Sequence, residues 1–406
     1  MKTNLLLVTV LVILLAVTQS FPQDLVTTGR FTNSVYAFEP PILRGSEESE
    51  THVLLFQYFR FKASMKEYNN LTFNLDTRFL TDLQEDIDND LRFRVNRISL
   101  SADDLFNGFM DVEVGRLFFH PGITFGSMDG VNLNLKPLKN LHVELYAGVE
   151  SYMYRSYKMY NFSDATVYGG SLKYFNFYRT NLDVSYLQKT YDSEIQWQLA
   201  GVSLANYSFR DWKFLLQTHY DIANSRLHRF FFSTRFTPTK QLHFNVNLKQ
   251  QHPQVYADSY FQMFDLKEYR KAGVGASYYF TNEYALNIDY DLFQIEDGQG
   301  NRVILSLNNN HGSIGVVYET GDLGDQIGFM ADYGYEFLPG LVGSIYIDYL
   351  RYRFEEIYSY ENQLTNAVRV AYDISRNWKV DLEYQFLNDK FKTSDHRLLN
   401  HIHFIW

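Results

Sequence analysis

The sequence predicts a closed, transmembrane, antiparallel up-and-down β-barrel with an even number of strands and no plug domain. Three observations predict it. Apolar and polar residues alternate with period two along most of the chain, the connections between alternating segments are in turn short and long, and no apolar run after residue 20 is long enough for a membrane helix. Only helices and closed barrels satisfy every backbone polar group in lipid, so a membrane protein of this sequence must be a barrel.

The composition of the chain limits which binding partners and which kinds of site are possible. The chain has 406 residues, no cysteine and a net charge of −10, which excludes disulfides and thiolate metal sites and argues against nucleic acid, whose phosphates need a cationic surface. Aromatic residues make up 17% of the chain, mostly Tyr and Phe, which requires a very large core or an apolar solvent outside the protein. Mean hydropathy is −0.29, but a barrel hides its apolar surface by alternation.

Residues 1–20 are predicted to be a signal peptide. Lys2 gives a positive start, Leu5 to Val17 is apolar, and Thr18 and Ser20 are small residues before a cut after Ser20. The apolar run is shorter than the ~20 residues that span a bilayer, although a membrane anchor is the alternative. We therefore expect export to the outer membrane, with residues 21–406 forming a single barrel domain.

Period-two alternation is clear in the segment where Leu141, Val143 and Leu145 alternate with His142 and Glu144. Such segments predict about 22 strands, or 18 to 20 if weak hairpins are misread. They lie near 26–38, 52–63, 71–79, 91–101, 109–118, 131–136, 141–149, 166–176, 182–187, 195–201, 212–220, 227–236, 242–249, 272–280, 284–292, 303–307, 312–318, 327–337, 341–349, 366–374, 378–386 and 398–406.

The connections have two lengths, which is typical of barrels with short periplasmic turns and longer extracellular loops. An even strand count puts both termini on the side of the short turns. The predicted short turns are 136–140, 237–241, 280–283, 337–340 and 374–377, and the predicted long loops are 38–51, 81–90, 119–129, 151–165, 251–271, 294–302, 351–366 and 387–396.

The chain ends in a strand whose Ile402, Phe404 and Trp406 share one face. This end resembles the closing strand of porin-like outer-membrane barrels of Gram-negative bacteria, in which the terminal aromatic residue is an assembly signal. The resemblance implies contact with the barrel-assembly machinery and periplasmic chaperones, and with outer-membrane lipid and lipopolysaccharide.

A second resemblance is local. Gly115-Arg116, a loop with His120-Pro121-Gly122, and Asp129-Gly130-Val131 are similar to a strand-loop-strand of alginate-export-type porins. No functional residue is carried over from it.

Register predicts which charges face the lumen. The N-terminal strands contribute mostly basic groups and the strands from residue 284 onward mostly acidic ones. Barrel closure brings the two sets together, and a transverse field of that kind orients polar solutes, although an ordinary salt-bridged interior is the alternative. The first set is Asp76, Arg78, Arg92 and Arg94, and the second is Asp289, Asp291, Asp332, Glu336, Asp348, Asp373, Asp381 and Glu383 with Arg369 and Lys379.

Two arginines do not fit a strict alternation. Arg97 and Arg229 would face lipid under a strict reading, unless a β-bulge or a strand end at the interface relieves this or the register is different there.

A barrel of 22 strands is roughly 44 Å across, too wide for side chains to fill. Strand patterning starts near residue 26, so we expect no N-terminal plug, and the best candidate for an inward-folding constriction is the loop 251–271. Its aromatic residues are Tyr256, Tyr260, Phe261 and Phe264. An outward surface loop is the alternative.

Residues with other chemistry are few. No catalytic motif is present, so we expect neither an enzyme nor a cofactor. His401 and His403 share a strand face but are expected to bind no metal. An acidic loop could bind divalent ions that bridge lipopolysaccharide, with a plain solvated loop as the alternative. It contains Glu85, Asp86, Asp88 and Asp90.

The loop after Ser151 is rich in tyrosine, which can stack on sugar faces or sit at a membrane interface. Its tyrosines are Tyr152, Tyr154, Tyr157 and Tyr160.

The leading functional hypothesis is a porin-like channel for passive diffusion of small hydrophilic solutes through a polar, charged lumen. The first alternative is a channel or exporter selective for a saccharide or exopolysaccharide. The second is a structural or adhesive surface barrel whose lumen is closed by loops.

Overall fold

The computed structural model describes residues 25–39, 51–65, 70–85, 87, 92–120, 122–152, 156–255, 267–296, 298–322, 324–354, 357–390, 392 and 394–406. The predicted signal peptide lies outside these residues. Within them, no helix has the length and apolar character needed to cross a membrane.

The described residues form 22 β-strands and a tight turn at Leu105–Gly108, in which Phe106 and Asn107 have positive φ angles of 52° and 60°. The strands are β1 (Leu25–Phe38), β2 (His52–Met65), β3 (Leu71–Asp82), β4 (Phe93–Asp104), β5 (Met110–Phe119), β6 (Gly126–Leu138), β7 (Leu141–Glu150), β8 (Ala165–Phe177), β9 (Thr180–Tyr191), β10 (Glu194–Asn206), β11 (Trp212–Asp221), β12 (Arg226–Phe236), β13 (Leu242–Gln251), β14 (Tyr269–Tyr279), β15 (Ala285–Ile295), β16 (Gly298–Asn308), β17 (Gly312–Gly321), β18 (Asp325–Leu338), β19 (Leu341–Arg353), β20 (Glu361–Asp373), β21 (Trp378–Asn388) and β22 (Asp395–Ile405).

Each strand pairs antiparallel with its neighbours in sequence, and the first strand pairs with the last. β1 and β22 are in register from Arg30 opposite Ile405 to Ala37 opposite Leu398. The sheet therefore closes on itself, and the predicted up-and-down barrel with about 22 strands is confirmed. Closure removes the sheet edges, which is the condition for strands to cross lipid.

Connection lengths agree with the prediction on the side of the short turns, but not everywhere on the other side. The predicted long loop at 294–302 is wrong, because β15 ends at Ile295 and β16 begins at Gly298. Glu296 has a φ of 51°, as in the tight turns that suit hairpins. The polar run from Gly298 looks like a loop in sequence, yet it continues the ladder, with Gln294 opposite Gln299.

Two β-bulges correct the register where strict alternation fails, which is one of the explanations that the sequence left open. The β3–β4 ladder shifts between Asp76 and Thr77, so that Asp76 lies opposite Arg97. The β11–β12 ladder shifts between His219 and Tyr220, so that His219 lies opposite Arg229. In each case the extra residue turns the arginine to the polar face of the sheet.

Candidate functional site

The barrel wall has two chemically different faces. On β21, Leu382 and Tyr384 are exposed, whereas Asp381 and Glu383 on the alternate positions bond to neighbouring polar side chains. The same division holds along most strands, and the apolar face carries no covering element among the described residues. Since a membrane barrel presents its apolar face to lipid, the polar face encloses the lumen.

The predicted basic wall lies on β3 and β4, and its side chains are close together. Arg78 lies opposite Arg94 in the ladder, and its guanidinium is 5.7 Å from the centre of the Phe56 ring. Asp76 pairs with Arg60 at 2.8 Å and accepts a hydrogen bond from Asn96 at 3.0 Å. Arg92 immediately precedes β4.

The sequence prediction missed the basic residues that β1 and β2 add to this wall. Arg30 and Arg60 lie opposite each other in the β1–β2 ladder, and Arg97 joins them through the β3–β4 bulge. Arg97 donates to Glu113 at 3.1 Å from its Nε. Arg30 and Arg60 could have been found by extending the alternation of the neighbouring strands, since Arg60 lies between Phe59 and Phe61, and Arg30 precedes Phe31.

A cavity of about 420 Å³ opens on the same part of the polar face. Tyr36, Phe56 and Tyr58 line it beside Arg30 and Arg60. Aromatic faces next to guanidinium groups can hold planar or ring-shaped polar solutes by stacking and by charge.

The predicted acidic wall lies on β15 and β18–β21, and only part of it is neutralised by basic side chains. Asp291 pairs with Lys271 at 2.7 Å, which the sequence prediction missed. The remaining pairs and contacts involve Asp373 with Lys379, Asp381 with Arg369, Asp289 with Asn245, Asp332 with Ser313, Asp348 with Tyr346, Glu383 with Gln385, and Glu336 with the backbone N–H of Gly340.

Within the part of the chain that the structure describes, the β5–β6 loop crosses the polar face. The residues predicted to form a constriction, Tyr256, Tyr260, Phe261 and Phe264, lie outside the described residues, and that prediction stays a prediction. Gly122 of the β5–β6 loop lies beside Asp183 and Ser185 of β9, with the Asp183 carboxylate 3.2 Å from where a Gly122 Cβ would be. A Cβ on Gly201 of β10 would be 3.0 Å from Ile123 Cγ1. The loop thus covers three to four strand spacings, roughly 14–19 Å of the wall.

This loop is held by a buried apolar cluster on the polar face of β5–β10. Phe119 and Tyr146 stack with ring centres 5.2 Å apart, and Lys189 lies 4.3 Å from the Trp197 ring while pairing with Glu150. The cluster consists of Leu117, Phe119, Ile123, Met128, Tyr146, Val167, Leu187, Trp197 and Leu199. It narrows the lumen from one side. The cluster could have been found in the sequence from apolar residues at inner positions, where the alternation predicts polar ones.

The segment quoted for the alginate-export-type resemblance contains a buried ion pair. Arg116 and Asp129 are joined by two hydrogen bonds of 2.7 and 2.8 Å, and both side chains are less than 10% exposed. The β4–β5 ladder stops at Arg116, and its guanidinium also donates to backbone carbonyls of Val95 and Lys158. The pair therefore closes the wall where β4 and β5 separate.

The tyrosine-rich loop stacks largely on itself and on neighbouring strands. Tyr152 and Tyr160 have ring centres 4.8 Å apart, and Tyr157 stacks on Phe93 at 6.4 Å. Tyr154 lies outside the described residues.

The terminal strand is fitted closely to β1. Trp406 exchanges two backbone hydrogen bonds with Gly29, and its ring stacks near Phe59 and Phe404. A Cβ on Gly29 would be 2.1 Å from the Trp406 ring, so a larger residue there would require the ring to move. The role of Ile402, Phe404 and Trp406 as an assembly signal stays a prediction.

The two histidines of the closing strand bond to β1. His403 contacts Thr32 and Arg30, both at 2.9 Å, and His401 contacts Ser34 at 2.7 Å. These bonds hold β22 against β1 at the closure of the barrel.

No family model and no curated protein matches the sequence. Among solved structures, the chain is similar to OccAB3 of Acinetobacter baumannii, with 10% identity, a TM-score of 0.45, and coverage of 94% of this chain and 99% of that one. It is also similar to OpdK of Pseudomonas aeruginosa crystallised with vanillate, with 11% identity, a TM-score of 0.44 and coverage of 94% and 98%. A third is OccK9 (OpdG) of Pseudomonas aeruginosa, with 13% identity, a TM-score of 0.43 and coverage of 95% and 99%. Likenesses of this size carry no argument about what this chain binds.

Proposed function

We propose that the chain is an outer-membrane channel for the passive diffusion of small hydrophilic solutes. The observation that carries this proposal is a closed barrel whose polar face has a basic wall on β1–β4 and an acidic wall on β15 and β18–β21, with the β5–β6 loop packed against one side. Among the described residues, side chains and this short loop do not fill a cylinder roughly 44 Å across. The exposed apolar face supports residence in lipid.

The basic wall and the acidic wall carry opposite charges, and together they give the lumen a transverse electric field. Because β1 pairs with β22, the basic strands follow directly after the acidic ones around the barrel. A dipolar or zwitterionic solute would be oriented by that field as it passes the side of the lumen narrowed by the β5–β6 loop.

The test is planar-bilayer conductance of the refolded mature chain, residues 21–406, at high salt with a solute-size series. We expect large, stable steps that polar solutes below a sharp size limit reduce. A correctly folded, heat-modifiable barrel that shows no conductance would overturn the channel and favour a structural surface barrel.

A saccharide-selective channel is the second candidate, and the cavity lined by Tyr36, Phe56 and Tyr58 favours it. Aromatic rings stack on sugar faces. If it is correct, oligosaccharides block the steps at concentrations where polyols of equal size do not, and Tyr58→Ala weakens that block. Equal block by both solutes leaves only the general channel.

A further inference from the structure

One cluster of ligating side chains lies apart from the two charged walls and the packed loop. His52 is the first residue of β2, Asp82 is the last residue of β3, and Glu85 follows in the β3–β4 loop. One ligand atom from each side chain lies within 4.8 Å of the other two. The alternation of β2 and β3 puts His52 and Asp82 on the same face as Arg60 and Arg78, so the cluster lies at the lumenal mouth where the long loops emerge.

The backbone holds two of these side chains in place. Leu54 lies opposite Asp82 in the β2–β3 ladder, and the N–H of Leu83 donates to the carbonyl of Val53 at 3.0 Å. The N–H of Gln84 donates to Asp82 Oδ1 at 3.0 Å, which leaves Oδ2 directed at His52 Nδ1, 2.7 Å away. The geometry is thus set by strand pairing rather than by flexible loop residues alone.

Charge makes this cluster different from the other carboxylates of the barrel. The Asp82 side chain is only 5% exposed, and among the described residues its one ion-pair partner is the imidazole of His52 rather than a lysine or an arginine. Buried carboxylates normally have a cation beside them. Here Glu85 adds a second negative charge instead.

The donor set selects a class of ion. One imidazole nitrogen and two carboxylate oxygens are ligands that Zn²⁺ accepts at about 2.0–2.2 Å, with a fourth position left for water. Ca²⁺ and Mg²⁺ prefer oxygen alone. We propose that His52, Asp82 and Glu85 bind Zn²⁺ at the mouth of the barrel.

Binding replaces the proton shared by His52 and Asp82. The imidazole exchanges its proton with water so that Nε2 carries it and Nδ1 is free to coordinate, and the ion takes the place between Nδ1 and Asp82 Oδ2. Those two atoms must then move apart by about half an ångström, since donors around a tetrahedral Zn²⁺ are roughly 3.3 Å from each other. Glu85, which is exposed, closes the site from the loop.

The experiment is Zn²⁺ titration of the full mature chain, refolded in detergent and freed of metal by a chelator, in competition with a chromophoric chelator. We compare the natural sequence with His52→Ala, Glu85→Gln and the control His396→Ala. His396 lies at the start of β22, where it contacts Tyr384 and Ser394, so its loss removes a histidine without touching the cluster.

We expect one site that His52→Ala abolishes, that Glu85→Gln weakens by about 10-fold or more, and that His396→Ala leaves unchanged. Equimolar Ca²⁺ should not compete. Zn²⁺ binding that survives His52→Ala, or that Ca²⁺ displaces at equal concentration, would overturn the site. Because Glu85 is exposed, Glu85→Gln keeps the test decisive even if His52→Ala does not give a heat-modifiable barrel.

Discussion

Two sides of the barrel share the same strand alternation but differ in the residues at their inner positions. Where the β5–β6 loop packs on β5–β10, many inner positions are apolar and bury the loop, so that Leu117, Leu187 and Leu199 have no exposed surface. On β18–β20 the inner positions carry carboxylates, and Asp332, Glu336 and Asp373 remain exposed to the lumen. One wall is thus a small hydrophobic core inside the pore, and the other is a hydrated surface.

This difference shows how a wide barrel can be narrowed without a plug. Ordering a loop costs conformational entropy, and a loop that crosses a polar surface buries no apolar area to offset that cost. Apolar residues at inner positions give it that area, at about 25 cal/mol per Å². The constriction therefore depends on the residues of the wall strands as much as on those of the loop.

The largest expected effect comes from removing the ion pair on the packed side. Arg116→Met leaves the Asp129 carboxylate buried without a cation, which should lower the free energy of unfolding by about 3–5 kcal/mol. The matched change on the open side is Lys379→Met, because Lys379 also pairs with an aspartate, Asp373, and the two side chains are 43% and 50% exposed. It should cost about 0–1 kcal/mol.

Both values come from denaturant unfolding of the barrel in lipid vesicles. Equal losses of unfolding free energy in the two variants would show that the buried ion pair stabilises the barrel no more than the exposed one, contrary to the difference in burial.

The sequence predicted the sheet well, and the reason is physical. Alternation is a local property, so every strand segment and the even count were accessible from it, and the poor phase at Arg97 and Arg229 marked two places where bulges occur. The contact between Ile123 and Gly201 joins segments that are far apart in sequence, and no local period reports it, so the packed β5–β6 loop was missed. The loop 251–271 was favoured as a constriction because it is long and aromatic, which stays a prediction, whereas the β5–β6 loop is short and depends on the wall opposite.

An intermediate effect is expected from releasing that loop. Ile123→Ala removes the side chain that contacts β10 and should cost about 2–3 kcal/mol, because the loop can partly settle into the space. Conductance should rise and the solute size limit should increase. Ile357→Ala, in the exposed β19–β20 loop, is the matched control and should change neither.

If Ile123→Ala leaves both the conductance and the size limit unchanged, the packed side does not narrow the path of the solute. A change of similar size in Ile357→Ala would instead point to a general loss of barrel integrity.

The smallest effect is expected from neutralising the charges of the two walls. The direction of the change in cation-to-anion permeability should differ between the basic and the acidic wall. A unit charge acts on an ion ~10 Å away in water with about 0.4 kcal/mol, which changes the local concentration of that ion about twofold. Arg78→Gln with Arg94→Gln should therefore shift the permeability ratio toward cations, and Asp289→Asn with Asp348→Asn should shift it toward anions by a similar factor. Reversal potentials in a salt gradient measure both, and the shifts should shrink as salt is raised. If both double variants move the reversal potential in the same direction, the two walls do not act as opposed charges on one path, and the transverse field has no part in selecting solutes.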